Sequence, residues 1–266
     1  MSIALGAHVS STSPLSDAAG MGADLVQVFV GDPQSWKKPV TPFADGAATL
    51  KAAAQEDGVG LVVHSPYVLN VASTNNRIRI PSRKLLQQTI TEAAAIGAIG
   101  VVVHGGHVTA NDDPGVGFEN WRKCVDGLNL EVPIFIENTA GGQNAMARTL
   151  ESIERLWAAL SGSANFDRVG FCLDTCHAHA AGLDLDGLVG KVRATTGRVD
   201  VVHCNNSRDE PGSGADRHAG LTTGTIDPEL LLSVVRDADT ATILETPGEI
   251  AEHSEELAWL RQRLNT

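Results

Sequence analysis

The stretch "GFCLDTCHAHAAG", residues 170–182, begins as a short apolar run and ends by placing Asp174, Cys176, His177 and His179 within six positions. The run VGFCLD (169–174) is long enough for a strand and too short for a helix that must hold itself together. Its polar residues therefore fall at the C-terminal end of a strand and in the turn that follows. Taken alone they suit a metal site, a thiol site, or a strand end that is merely polar.

The same pattern recurs along the whole chain. Apolar runs stand at IALGAHV (3–9), DLVQVFV (24–30), GLVVH (60–64), GVVVH (100–104), VPIFIE (132–137), VGFCLD (169–174), VDVVH (199–203) and ATILE (241–245). Between them lie stretches with helical spacing: SPLSDAAGMG, FADGAATLKAAAQ, PSRKLLQQTITEAAAIG, GFENWRKCVDGL, TLESIERLWAALSG, DGLVGKVRATTG and DPELLLSVVRDA, with EELAWLRQRL closing the chain. Eight such alternations over about 250 residues predict an α/β fold, a (β/α)8 TIM barrel whose reactive groups collect at the C-terminal ends of its strands. An open doubly wound sheet would want a G-x-G-x-x-G turn after a strand, and none is present. No linker or shift of composition divides the chain, so residues 1–266 are read as a single catalytic domain.

Composition bounds the function. The chain has 266 residues, 42% of them hydrophobic, and can bury a sizeable core. No apolar run approaches the roughly 18 residues of a membrane span, and the N-terminus lacks the basic segment of an export signal. A cytoplasmic, membrane-free, monomeric protein is the expectation. The four cysteines, Cys124, Cys172, Cys176 and Cys204, are expected to be reduced and buried. The net charge of −12 argues at first sight against a polyanionic partner.

The third to eighth strands finish in order on His64, His104, Glu137, Asp174, His203 and Glu245. A lone His or Glu at a strand end is more often a hydrogen-bonded polar residue than a ligand, but six in succession, closed into one ring, converge. The loops add His107 in "HGGH", His177 in "DTCH" and the pair Asp216 and His218 in "DRH". Four carboxylates and several imidazoles in a partly buried mouth repel and are desolvated at a cost of several kcal/mol each, and cations relieve that cost. Mixed imidazole and carboxylate ligands suit Zn2+, with Mn2+ or Fe2+ at a position richer in carboxylate. The set exceeds what one tetrahedral ion needs, which predicts a cluster of two or three ions.

These residues sit in motifs that together resemble the endonuclease IV type of apurinic/apyrimidinic (AP) endonuclease. The likeness runs almost the full length, in order: "GAHVS", "PQSW", "HSPYVLN", "VVHGGH", "ENTAGG", "DTCHAHAAG", "HCNNSRDEPGSGADRHAGLTTG" and "LETP". The resemblance implies a (β/α)8 barrel with a trinuclear zinc site that hydrolyses the phosphodiester 5′ to an abasic site in duplex DNA. It implies that His64, His104 and Glu137 hold a first ion, that Glu137 bridges to a second completed by Asp174, His203 and Glu245, and that His177, Asp216 and His218 hold a third. The chain departs from the family pattern at Gly105-Gly106, at Ala140-Gly141-Gly142-Gln143, at His179, and at Gln34, where some members carry an arginine that enters the DNA.

That chemistry answers the opening alternatives and suits the site. In-line displacement at phosphorus needs an activated water, a neutralised phosphate and a stabilised leaving alkoxide, with Glu137 as the central catalytic carboxylate. His8, His107, Asn138 and Asn205 are candidates for orienting the ligands. Three divalent ions would offset half of the net charge of −12, and eight of the twenty Lys and Arg fall on the expected catalytic face: Lys37, Lys38, Arg77, Arg79, Arg83, Lys84, Arg208 and Arg217. Lys37 and the segment "NNRIRIPSRK" (75–84), with Arg77, Arg79 and Arg83, are the expected DNA phosphate contacts, and Tyr67 is the aromatic expected at the missing base. Two rivals remain at this point. A sugar isomerase of related build would want a lysine or acid–base pair at the site, yet none of the lysines ends a strand, and a binding-only barrel has no need of so complete a ligand set.

Overall fold

The computed structural model describes residues 3–264, so residues 1, 2, 265 and 266 of the single-domain reading lie outside the described residues. Eight strands, β1 (Leu5–His8), β2 (Leu25–Val28), β3 (Gly60–His64), β4 (Val101–His104), β5 (Ile134–Glu137), β6 (Val169–Asp174), β7 (Val201–His203) and β10 (Ala241–Leu244), close a parallel barrel in the order β1-β10-β7-β6-β5-β4-β3-β2. Helices α1 (Pro14–Met21), α2 (Gly46–Asp57), α3 (Asn76–Ala95), α4 (Pro114–Gly127), α5 (Leu150–Leu160), α7 (Leu188–Thr196), α8 (Pro228–Ala238) and α9 (Ile250–Leu264) surround it. The TIM barrel expected from the alternating pattern is the fold.

The strand period of two separates the core into two clusters. Leu25, Val62, Val102, Phe135, Cys172, Val201 and Ile243 fill the barrel interior, while Val26, Val63, Val101, Ile134, Ile136, Leu173 and Val202 face outward onto the helices. Two positions beyond each interior residue the strand has reached its C-terminal end, and there the inward side chain is polar: Gln27, His64, His104, Glu137, Asp174, His203 and Glu245, joined by His8 on β1. The ladders bring these ends level, pairing His8 with Gln27, His104 with Glu137 and Asp174 with His203. Every barrel strand thus contributes one polar group to the same mouth.

Three local features differ from the expected pattern. Helix α3 starts at Asn76 rather than at Pro81, because the Asn75 side chain caps the Arg77 amide and Pro81 is taken into the helix. A short helix α6 (Thr175–Ala180) follows β6 directly, its first turn capped by Asp174 Oδ1 accepting from the His177 amide at 2.6 Å. The long connection after β7 carries an antiparallel hairpin, β8 (Asn206–Ser207) against β9 (His218–Ala219).

Closure of the barrel leaves no room for a side chain at Gly6. A Cβ there would lie 1.7 Å from the Leu25 carbonyl oxygen, an overlap with backbone that no rotamer relieves. Gly6→Ala should therefore destabilise the protein by at least the about 1–3 kcal/mol of core overpacking, lowering the midpoint of urea unfolding, whereas Gly127→Ala, where nothing lies within 4 Å, should leave it nearly unchanged.

Candidate metal centre

The barrel mouth holds a cavity of about 330 Å3 lined by His64, Tyr67, His104, His177, Asp216, His218 and Glu245. At its floor lies Glu137, wholly buried. Four imidazoles approach its carboxylate: His64 Nε2 at 3.3 Å and His104 Nε2 at 3.2 Å from Oε2, His177 Nδ1 at 3.2 Å and His203 Nδ1 at 3.1 Å from Oε1. On one side His203 Nδ1 also lies 3.2 Å from Glu245 Oε2 and 4.0 Å from Asp174 Oδ2. On the other, Asp216 bridges His177 Nε2 and His218 Nε2, each at 3.1 Å.

Backbone carbonyls decide which nitrogen of each ring is free. His64 Nδ1 donates to the Ser65 carbonyl at 2.8 Å, His177 Nδ1 to the Asn138 carbonyl at 2.9 Å and His218 Nδ1 to the Glu245 carbonyl at 3.0 Å. His203 is held from the opposite nitrogen, its Nε2 donating to Gln27 Oε1 at 2.9 Å. In each neutral ring the remaining nitrogen carries a lone pair, and it faces carboxylate oxygens, which carry only lone pairs. Acceptor against acceptor at this range is repulsive unless a proton or a cation lies between. His177 Nε2 and His218 Nε2 are buried, and although Asp216 lies 3.1 Å from each, neither makes a well-formed hydrogen bond, an arrangement that suits a shared cation.

The electrostatics of the protein alone show the same conflict. Burial would raise the Glu137 carboxyl, but His104, His203 and His177 outweigh it and hold it well below the usual carboxylate range. Burial pushes Asp174 up, and His177 and His218 offset that only in part. Burial works against the charged forms of His177 and His203, yet Asp174, Asp216 and Glu137 lift His177, and Cys172, Glu245 and Glu137 lift His203, well above the ordinary imidazole value. For His218 the same competition, led by burial and overturned by Asp216, Asp174 and Glu245, ends at about 9. All these groups are ones a divalent cation would satisfy together.

The expected ligands gather into overlapping sets: His64, His104 and Glu137; Glu137, Asp174, His203 and Glu245; and Asp174, His177 and His218, with Asp216 beside the last two. Glu245 lies one residue past β10, where its amide donates to Asn205 Oδ1 at 2.7 Å. Asn205 also donates to Asp174 Oδ2 at 2.6 Å, and Asn138 clamps the Asp174 backbone, accepting from its amide at 2.7 Å. Both asparagines thus orient the group. His107 does not: its backbone pairs with Ala145 and the residue is exposed. The four cysteines are buried, and burial pushes Cys124, Cys172 and Cys176 up to about 12 and Cys204 further in the same direction, which leaves them thiols.

The expected DNA contacts separate. Tyr67, 53% exposed, overhangs the cavity with its ring 5.9 Å from that of His104 and 5.2 Å from that of Phe29. Its amide donates to the Pro33 carbonyl, which ties its loop to the one carrying Gln34 and Lys37. Arg77 and Lys37 are exposed. Arg79 instead donates to the Ser73 carbonyl at 2.8 Å, and Arg83 to the Asn120 carbonyl at 2.7 Å, so both brace the loop and helix around them. Arg208 and Arg217 likewise brace the β8–β9 hairpin through the His218 carbonyl and Asp209. Two groups escaped the sequence reading: Gln27, a lone polar residue inside an apolar strand, and Phe29 above it. The inward phase of β2 was the signal for both.

A barrel with this mouth is one of the metal-binding type, and a family profile described as xylose isomerase-like TIM barrel matches residues 15–263. The chain is 52% identical over 262 residues to the probable endonuclease 4 of Mycobacterium ulcerans (strain Agy99), spanning 98% of this chain and 99% of that one. It superposes on the crystal structure of endonuclease IV from Thermus thermophilus with a TM-score of 0.83 and 29% identity, covering 98% and 99% of the two chains. A D-tagatose 3-epimerase-like protein shares the fold at a TM-score of 0.78 but only 19% identity. The protein belongs to the endonuclease IV family, the family its sequence motifs resemble.

The raised imidazoles set opposite pH dependences for the two forms of the protein. In the metal-free protein the His218 contribution is fully present below its ordinary 6.5 and is lost as pH rises through about 9. A cation must displace that proton, so metal binding tightens over the same interval. The melting temperature of chelated protein should fall between pH 6.5 and 9 while the gap between metal-loaded and chelated protein widens. A gap that stays constant across this range would contradict the assignment.

Proposed function

We propose that the protein is a zinc-dependent AP endonuclease of the deoxyribonuclease IV type. It hydrolyses the phosphodiester 5′ to an abasic site in duplex DNA and leaves a 3′-OH, the incision step of base excision repair. The observation that carries this reading is the set of lone-pair nitrogens facing carboxylates around one cavity, with buried His177 Nε2 and His218 Nε2 each 3.1 Å from Asp216 without a well-formed hydrogen bond. A family relationship at 52% identity over nearly the whole chain supports it.

The residues suit two to three Zn2+ ions, with Mn2+ or Fe2+ acceptable at one position. His64, His104 and Glu137 would hold the first, Glu137, Asp174, His203 and Glu245 the second, and His177, Asp216 and His218 the third. Once bound, such ions supply a water nucleophile at neutral pH and neutralise the phosphate and the departing alkoxide. Glu137 presents one oxygen to His64 and His104 and the other to His177 and His203, so it couples the first group to the others. Burial, followed by the charges of Glu245 and Glu137, pushes the Tyr67 phenol up to about 12, so it meets the substrate uncharged. Arg77 and Lys37 are free to contact backbone phosphates, which offsets the net charge of −12 where the duplex lies. The reading takes the chain as one catalytic domain, monomeric and cytoplasmic, acting on abasic or damaged duplex. No helix among the described residues is long and apolar enough to cross a membrane.

Glu137→Gln keeps the shape and removes the charge that couples the groups. Turnover of an oligonucleotide duplex with a single abasic analogue should fall by at least about 100-fold, or about 2.7 kcal/mol of barrier, with duplex affinity largely kept. Activity within about tenfold of wild type would exclude the central role, and turnover of ketoses in place of DNA would favour the isomerase reading.

Lesion and backbone recognition should separate in the inactive Glu137→Gln background. Tyr67→Ala should weaken binding to abasic duplex by about tenfold or more and change intact duplex little, because stacking replaces a missing base. Arg77→Ala and Lys37→Ala should weaken both duplexes alike and each flatten the log–log salt slope by about 0.9. Titrations of both duplexes at two salt concentrations decide it, and equal losses for Tyr67→Ala on the two duplexes would assign Tyr67 to packing.

A further inference from the structure

Gln27 is wholly buried on β2 and belongs to neither the apolar interior below it nor the ligand set beside it. Its carboxamide makes three contacts at once. Nε2 donates to Glu245 Oε1 at 2.6 Å and to His8 Nδ1 at 3.1 Å, and Oε1 accepts from His203 Nε2 at 2.9 Å. A carboxamide has two N–H donors and one carbonyl, and all three are engaged. The orientation is forced, since flipping the amide would set its oxygen against the Glu245 carboxylate and its NH2 against the N–H of His203.

Two consequences follow for the ring of ligands. Because Oε1 of Gln27 takes the proton on His203 Nε2, the lone pair of that ring lies on Nδ1, the atom 3.1 Å from Glu137 Oε1 and 3.2 Å from Glu245 Oε2. Because Nε2 of Gln27 donates to Glu245 Oε1, it orients that carboxylate with Oε2 toward His203 Nδ1. One buried amide therefore chooses which atom each of two neighbouring ligands offers. His8 closes the arrangement: it pairs with Gln27 across the β1–β2 ladder and accepts from it as a neutral ring.

We propose that Gln27 is a positioning residue of the metal centre, fixing His203 Nδ1 and Glu245 Oε2 as the atoms presented to the second cation. This rests on the metal-centre reading above. In a barrel where every other inward strand end is ionisable or metal-capable, an amide at this place contributes donor and acceptor together without adding charge. That combination is what two ligands of opposite hydrogen-bonding character require.

The test is metal binding rather than turnover. Wild type and Gln27→Met, which keeps length and removes the polar atoms, are stripped by chelation and titrated with Zn2+ against a chromophoric chelator, and with Co2+ by visible absorption. The expected result is that Gln27→Met weakens one class of ions by about 10–100-fold and alters the cobalt spectrum, while a second class keeps wild-type affinity. The same affinities and spectrum in both proteins would overturn the role of Gln27 and leave the metal centre standing. Wild type taking up fewer than two equivalents would overturn the metal-centre reading itself, and this inference with it. Should Gln27→Met fail to fold, histidine 15N–1H correlation spectra of zinc-loaded wild type decide alone: a proton on His203 Nε2 supports the proposal, and a proton on Nδ1 overturns it.

Discussion

A carboxylate with no access to water, surrounded by imidazole nitrogens, is the constraint on which the rest of this molecule depends. Glu137 is buried completely, and four histidine rings stand 3.1–3.3 Å from its two oxygens. An isolated buried carboxylate costs several kcal/mol, and so does a buried imidazolium, so neither group tolerates the loss of the other. The barrel supplies the only geometry in which residues from strands so far apart in sequence meet at one point. Its closed hydrogen-bond ladder holds them there without an edge that could slip.

Ring orientation is decided outside the cavity. The Ser65, Asn138 and Glu245 carbonyls and the Gln27 amide each take one imidazole proton, and each leaves the opposite nitrogen pointing inward. Residues just past the strand ends thus act twice, as chain and as orienting groups. The hairpin after β7 is held by backbone in the same way. Gly212 and Gly214 donate their amides to the carbonyls of His179 and Ala180, and a Cβ on Gly141 would meet the Gly214 carbonyl at 2.5 Å. This close backbone contact docks the loop that carries Asp216 over the mouth.

The likeness in fold to a D-tagatose 3-epimerase-like protein illustrates how little the barrel itself says about chemistry. The D-tagatose 3-epimerase-like protein superposes almost as well as the Thermus thermophilus endonuclease IV, at TM-scores of 0.78 and 0.83. In this chain the rim carries the Asp216–His218 pair on the hairpin, Tyr67 over the cavity, and exposed cations on the neighbouring loops. A shared barrel presents such groups without deciding their chemistry.

Much was legible in the order of residues. Eight apolar runs, each followed by a helical stretch, define the barrel because a parallel strand needs a crossover before the next one. The inward period of two then places His64, His104, Glu137, Asp174 and His203 on one rim, since each ends its strand in the same phase. Other features required the third dimension. Arg79 and Arg83 read as free cations, and only the folded chain shows each donating to a backbone carbonyl, that of Ser73 and that of Asn120. Gln27 looked like one polar residue in an apolar strand, because a hydrogen bond to a partner 176 or 218 positions away leaves no trace in local spacing. Sequence patterning records which face a side chain takes, a property of its own strand. What that side chain meets across the barrel depends on ring closure, which sets its partners only when all eight strands are in register.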